Sequence, residues 1–210
     1  MVTRCLLLAL CFFVALTASA QTLYENGPIN GETDAWTINF GFVVPDSFTI
    51  STGSSTITGL SFGAWLSPGD LLQSVEVAIT SEPLGGTTYF DQHVSFTQSG
   101  CFVNNYGFDV CTETGSFNGP TLNDGTYWVN LENAVSSMGN PVYWDENSGI
   151  GCHSPGCPSQ AGGGLGSIPS EAFSILGTSS GTGTVPEPGS LLLFAGGLLA
   201  SAGLFRRRMQ

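Results

Sequence analysis

The chain has 210 residues, with 16 aspartates and glutamates against four lysines and arginines, and a formal net charge of −12. An acidic excess of that size repels phosphate backbones and anionic headgroups, so it excludes nucleic-acid binding through this surface. Between the two terminal segments lie roughly 165 residues, enough for one substantial core but scarcely for two, and a single domain is expected.

The N-terminus carries an export leader. Arg4 supplies a positive n-region, residues 5–16 form an apolar run, and Ala18-Ser19-Ala20 has the small-x-small pattern that precedes a cleavage site. Removal of residues 1–20 after Ala20 by Sec-type export machinery and a signal peptidase takes Cys5 and Cys11 away with the leader. The segment that follows, up to Thr184, contains no lysine and no arginine. Salt bridges therefore cannot hold the fold together. Its carboxylates must be solvated, hydrogen-bonded or neutralised by cations, and stability is expected to rise with calcium or ionic strength.

The body, residues 21–176, reads as β throughout. Residues 36–40 and 47–50 alternate, residues 57–62 and 64–66 extend the pattern, and Ser67-Pro68-Gly69-Asp70 is a turn. Residues 74–80 form a half-buried strand with Val75, Val77 and Ile79 on one face and Glu76 on the other. Residues 87–96, 126–131, 141–144 and 171–176 supply further strands, the last closing the domain. Residues 161–167 read as a flexible loop and residues 177–184 as a Gly/Ser/Thr linker. Short strands at intervals of about ten residues, set off by Gly, Pro, Asn and Asp, predict an all-β fold, a single β-sandwich of jelly-roll type. A β-solenoid is the rival, and the lack of a fixed internal period counts against it. In this reading Trp36 and Trp65 belong to the sandwich core.

Four cysteines remain after export: Cys101, Cys111, Cys152 and Cys157. An even number in an exported chain predicts disulfides with three possible connectivities, of which local pairing, Cys101 with Cys111 and Cys152 with Cys157, is the simplest. A metal site built from Cys152, His153 and Cys157 is the alternative and lacks a fourth ligand. Around Tyr143 and Trp144 aromatic rings stand beside two carboxylates, which suits glycan contact. Asp145 and Glu146 are adjacent and so point to opposite faces of a strand, which argues against their flanking one glycosidic bond. Asp145, Asn147 and Gly149 hint at a calcium loop without completing one. His93 and His153 stand outside any nucleophile–base pattern, so no catalytic residue is assigned and no cofactor beyond that calcium is implied.

The last 26 residues carry a different message. Pro186 and Pro188 lock φ and keep their surroundings extended, residues 190–205 are an uncharged apolar stretch, and Arg206, Arg207 and Arg208 follow at once. As a helix the stretch reaches roughly 24 Å, somewhat short of a hydrocarbon core of about 30 Å. It predicts a marginal transmembrane helix, and the arginines act as a membrane stop that holds the C-terminus cytoplasmic. Pro186-Glu187-Pro188, the Leu-rich run and the basic end resemble the PEP-CTERM sorting signal. That resemblance implies recognition and cleavage by an exosortase-type membrane protease. It also implies delivery to the envelope or extracellular matrix of bacteria that make exopolysaccharide. Three functions follow as expectations: a non-catalytic matrix protein associated with exopolysaccharide, a carbohydrate-binding jelly-roll module, or an enzyme acting on neutral glycans.

Overall fold

The computed structural model describes residues 20–147, 159–161 and 166–180. Residues 1–19 of the expected export leader, Cys152, His153, Cys157, Pro186, Glu187, Pro188, the apolar stretch and Arg206, Arg207 and Arg208 lie outside these residues. The chain divides after Ser180 into the body and the tail Gly181–Gln210.

The body is all-β. Among the described residues there are thirteen strands and no helix. In chain order they are β1 (Gln21–Glu25), β2 (Ala35–Thr37), β3 (Val43–Ile50), β4 (Ser55–Leu66), β5 (Leu72–Glu82), β6 (Gly85–Val103) and β7 (Asp109–Ser116). Then follow β8 (Thr121–Leu122), β9 (Gly125–Ser136), β10 (Tyr143–Asp145), β11 (Ser159–Ala161), β12 (Gly166–Ile168) and β13 (Phe173–Ser179). Eleven of them share one sheet, in the order β1-β13-β4-β7-β6-β5-β9-β3, with β10 bridging β2 and β4 and β8 added to β4. The architecture is a curled open sheet whose two halves are joined through β6. Its inner surface encloses one core in the manner of a sandwich.

The physical cause of the curl is β6. This strand has 19 residues, and it pairs with β5 up to Ser95 and with β7 from Phe96 onward. One strand thus belongs to both halves of the sheet and turns the corner between them. At the hand-over Phe96 stands opposite Gly115, where an added Cβ would lie 2.8 Å from the Phe96 ring and from Val94. Glycine leaves room for the ring to cover the strand and meet Phe62 edge-on at 5.2 Å. Val75, Val77 and Ile79 of β5 and Val129 and Leu131 of β9 face Leu60 and Phe62 of β4 and Ile175 of β13 across the core, all fully or almost fully buried. Burial of such side chains contributes about 1.5–3 kcal/mol each relative to exposure.

The free edges, β1 and β3, lie against each other without a ladder between them. Side chains close that seam. Asn26 Nδ2 donates to Asp46 Oδ2 at 3.1 Å and to Ser170 Oγ at 2.7 Å, and the Ser170 hydroxyl and the Glu171 amide also donate to Asp46 Oδ2, at 3.0 and 2.8 Å. An inward carboxylate and Pro45 on β3 are devices that keep an edge strand from recruiting another chain.

The predicted Ser67–Asp70 turn forms, with Asp70 N–H donating to Ser67 O at 2.9 Å. Two segments expected to be irregular are ordered at least in part. The ends of the glycine-rich segment 161–167 belong to the β11–β12 pair, and β13 continues through Ser179, so its last three residues overlap the expected linker. Gly177 is there for close approach: a Cβ would fall 2.3 Å from Thr56 O across the ladder.

Candidate functional site

The most distinctive surface lies where β10 joins β4. Because side chains alternate along a strand, one aromatic of the Tyr143-Trp144 pair must face inward, and it is Trp144. Its exposure is 0%, it meets Phe62 and Phe173 edge-on at 6.1 and 5.5 Å, and its indole N–H donates to Ala172 O at 3.0 Å. Trp144 is a core residue and offers no ring to a glycan, which corrects the expectation drawn from its neighbours in sequence. Tyr143 faces the other way and is half-buried.

On that outer face four rings form a strip. Tyr143 meets Phe108 edge-on at 5.6 Å, Phe108 lies 5.8 Å from Trp65, and Tyr106 stacks on Trp65 at 5.5 Å with 24° between the planes. Trp65 is buried, but it points away from the core that its neighbours Ala64 and Leu66 enter. Its expected core role is thereby corrected. Tyr106 is 59% exposed. It sits at the tip of the β6–β7 hairpin, where Asn104 Oδ1 accepts the N–H groups of Tyr106 and Phe108, both at 3.0 Å, and the Tyr106 hydroxyl donates to Glu32 O at 3.3 Å. The hairpin is tied at its base by the Cys101–Cys111 disulfide, the local pairing expected from spacing. Closing so short a loop stabilises by roughly 2–3 kcal/mol on the chain-entropy account.

Beneath the strip sit the two adjacent carboxylates, turned to opposite sides. Asp145 accepts the Trp65 indole N–H at 2.6 Å and the N–H groups of Asn30 and Gly31 at 2.9 and 3.1 Å, and Glu146 accepts the Trp36 indole N–H. Burial pushes both carboxyls above the usual carboxylate range, and the indole hydrogen bonds pull the other way. Each carboxylate is thus a structural acceptor that orients a tryptophan. Asn147 is buried too, its amide N–H groups directed to Asn26 O and Glu171 O at 2.6 and 3.0 Å. Asp145 and Asn147 serve separate hydrogen-bond sets. Among the described residues no group of three or more His, Cys, Asp or Glu side chains is placed to hold a metal ion, and Gly149 of the expected calcium loop lies outside the described residues.

Other acidic groups show how a body without lysine or arginine buries carboxyls. Burial raises Asp46 to about 6 against the hydrogen bonds from Glu171, Ser47 and Ser170. Burial also acts on Asp70, but donors from Ser137, Met138 and Leu71 outweigh it and hold that carboxyl at about 2. Glu113, fully enclosed on β7, is raised by burial to about 7. His93 lies on the exposed face of β6, 3.6 Å from Glu76, with no nucleophile–base arrangement around it.

No constellation among the described residues states a reaction, and the informative match to known proteins lies in the tail. Residues 184–208 match the PEP-CTERM protein-sorting motif. The motif implies export to the cell envelope or extracellular space through a membrane-anchored intermediate and processing by an exosortase. It covers Pro186, Glu187, Pro188 and the three arginines, and leaves the β body unassigned. No curated protein matches the chain. Sequence reasoning missed Tyr106 and Phe108 as site residues. Their signal was two aromatics enclosed between a pair of nearby cysteines, in YGF of residues 106–108.

Proposed function

We propose that this chain is a non-catalytic protein of the envelope or extracellular matrix, exported by a Sec-type route. Its C-terminal helix tethers it briefly to the inner membrane with the arginines cytoplasmic, and an exosortase-type protease cuts it near Pro186-Glu187-Pro188. The body then joins exopolysaccharide outside the cell. The observation that carries this reading is the match of residues 184–208 to the sorting motif. A non-catalytic role is supported by the carboxylates Asp145 and Glu146, which are engaged by tryptophan donors where a glycosidase would need them aimed at one bond.

The test is intact-mass analysis of the protein recovered from envelope, matrix and medium of its native host. The expected product begins at Gln21 and has lost Arg206, Arg207 and Arg208, while Pro186→Ala with Pro188→Ala leaves the arginines in place and the protein in the inner membrane. Wild-type protein that still ends at Gln210 in the inner membrane, or that stays in the cytosol, would overturn the reading.

A further inference from the structure

We infer that the strip Tyr106–Trp65–Phe108–Tyr143 is a binding platform for an uncharged polysaccharide, with Tyr106 as its principal stacking face. The inference goes beyond the sorting reading, which holds whether or not the strip binds anything.

Tyr106 has one face laid on Trp65 and, at 59% exposure, the other turned to water. An aromatic ring at a loop tip ordinarily loses rotamer freedom when a ligand immobilises it. Here the ring is already held by its stack, by the 3.3 Å bond to Glu32 O, by the Asn104 side chain that organises the tip, and by the disulfide below. Trp65 is fixed in turn by Asp145. Half-buried Phe108 and Tyr143 continue the row, Phe108 5.8 Å from Trp65 and Tyr143 edge-on to Phe108 at 5.6 Å.

The chemistry selects the ligand class. The electron-rich face of an aromatic ring attracts the polarised C–H groups on the flat side of a pyranose and removes apolar surface from water. Exposed Glu32 and Asp34 belong to the loop that receives the Tyr106 hydroxyl, and their carboxylates accept hydrogen bonds from sugar hydroxyls. Residues 21–184 hold no lysine or arginine, the side chains that usually clamp a carboxylate, sulfate or phosphate. Uronic-acid polymers are repelled and neutral ones are not.

The experiment is affinity electrophoresis of the oxidised, exported protein in gels containing hydroxyethylcellulose, mixed-linkage β-glucan, galactomannan or alginate. Wild type is expected to be retarded by at least one neutral polymer and not by alginate. Tyr106→Ala weakens that binding by about tenfold or more, whereas Tyr106→Phe, which keeps the ring, stays within about twofold. Melting temperatures of both variants establish that the body is folded, as expected for a solvent-exposed hairpin tip. Absence of retardation by every neutral polymer, retardation by alginate alone, or unchanged binding by folded Tyr106→Ala would overturn the inference. So would sedimentation showing that Tyr106→Ala abolishes self-association while polymer retardation is unaltered, since the strip would then be a protein contact. The C-terminal mass of the mature protein reports on sorting independently of all these outcomes.

Discussion

Replacing Glu113 by glutamine should remove most of the stability loss that the wild type undergoes between pH 4.5 and pH 8. Glu113 lies on β7 between Phe62 of β4 and Gln98 of β6, with 0% exposure, and neither carboxyl oxygen has a hydrogen-bond partner among the described residues. Burial raises its pKa from 4.5 to about 7. In the unfolded chain the group releases its proton above the lower value, while the folded protein keeps it up to the higher one. Between them the native state binds more protons, so stability falls as pH rises through that window and stays lowered above it. A displacement of that size corresponds to about 3 kcal/mol at 1.36 kcal/mol for each pH unit. Asp46, raised to about 6, adds a loss of the same sign in an overlapping window. Glutamine has nearly the shape of the protonated acid and does not titrate, and any constant cost of burying its amide cancels in the comparison between pH values. Urea denaturation of wild type and Glu113→Gln at pH 4.5 and pH 8 measures the difference directly. If the two proteins lose the same stability between those pH values, Glu113 is ionised in the fold and the reasoning fails.

Asp70 has the opposite sign. Its carboxyl is held at about 2, so its contribution is present above the ordinary carboxylate value of 3.8 and disappears as pH falls toward 2. Asp70→Asn should cost about 2 kcal/mol at pH 7 and much less near pH 2, as read by denaturation at the two pH values; equal stability at pH 7 would contradict this. Cys101→Ser with Cys111→Ser should lower stability by about 2–3 kcal/mol, and reductant should lower the melting temperature of wild type but not of this double variant.

How much was legible depended on whether inward and outward positions differ in chemistry. In β5 they do: Val75, Val77 and Ile79 alternate with Ser74, Glu76 and Ala78, and the strand and its buried face followed from the pattern alone. In β7 they do not. Its positions opposite Ala64, Phe62 and Leu60 are Cys111, Glu113 and Gly115, so the core-facing row carries a cysteine, an acid and a glycine, and the strand was invisible to a search for alternating apolar residues. With β7 hidden, the pattern over residues 87–96 marks only the first part of β6, and the corner at which that strand passes from β5 to β7 is not legible.

The sequence by itself determined the sorting motif at residues 184–208, the absence of lysine and arginine from residues 21–184 and the strand-rich character, because composition, motif and pattern are properties of the chain read linearly. Only the tertiary structure decided which of two adjacent aromatics faces the core. Trp144 enters it and Tyr143 does not, while Trp65 turns outward between Ala64 and Leu66 to receive Tyr106. Where adjacent residues are both apolar or aromatic, as in Tyr143-Trp144 and Ala64-Trp65-Leu66, alternation still operates but its sign is set by pairing with distant strands, and that sign separates a core residue from an outward-facing one.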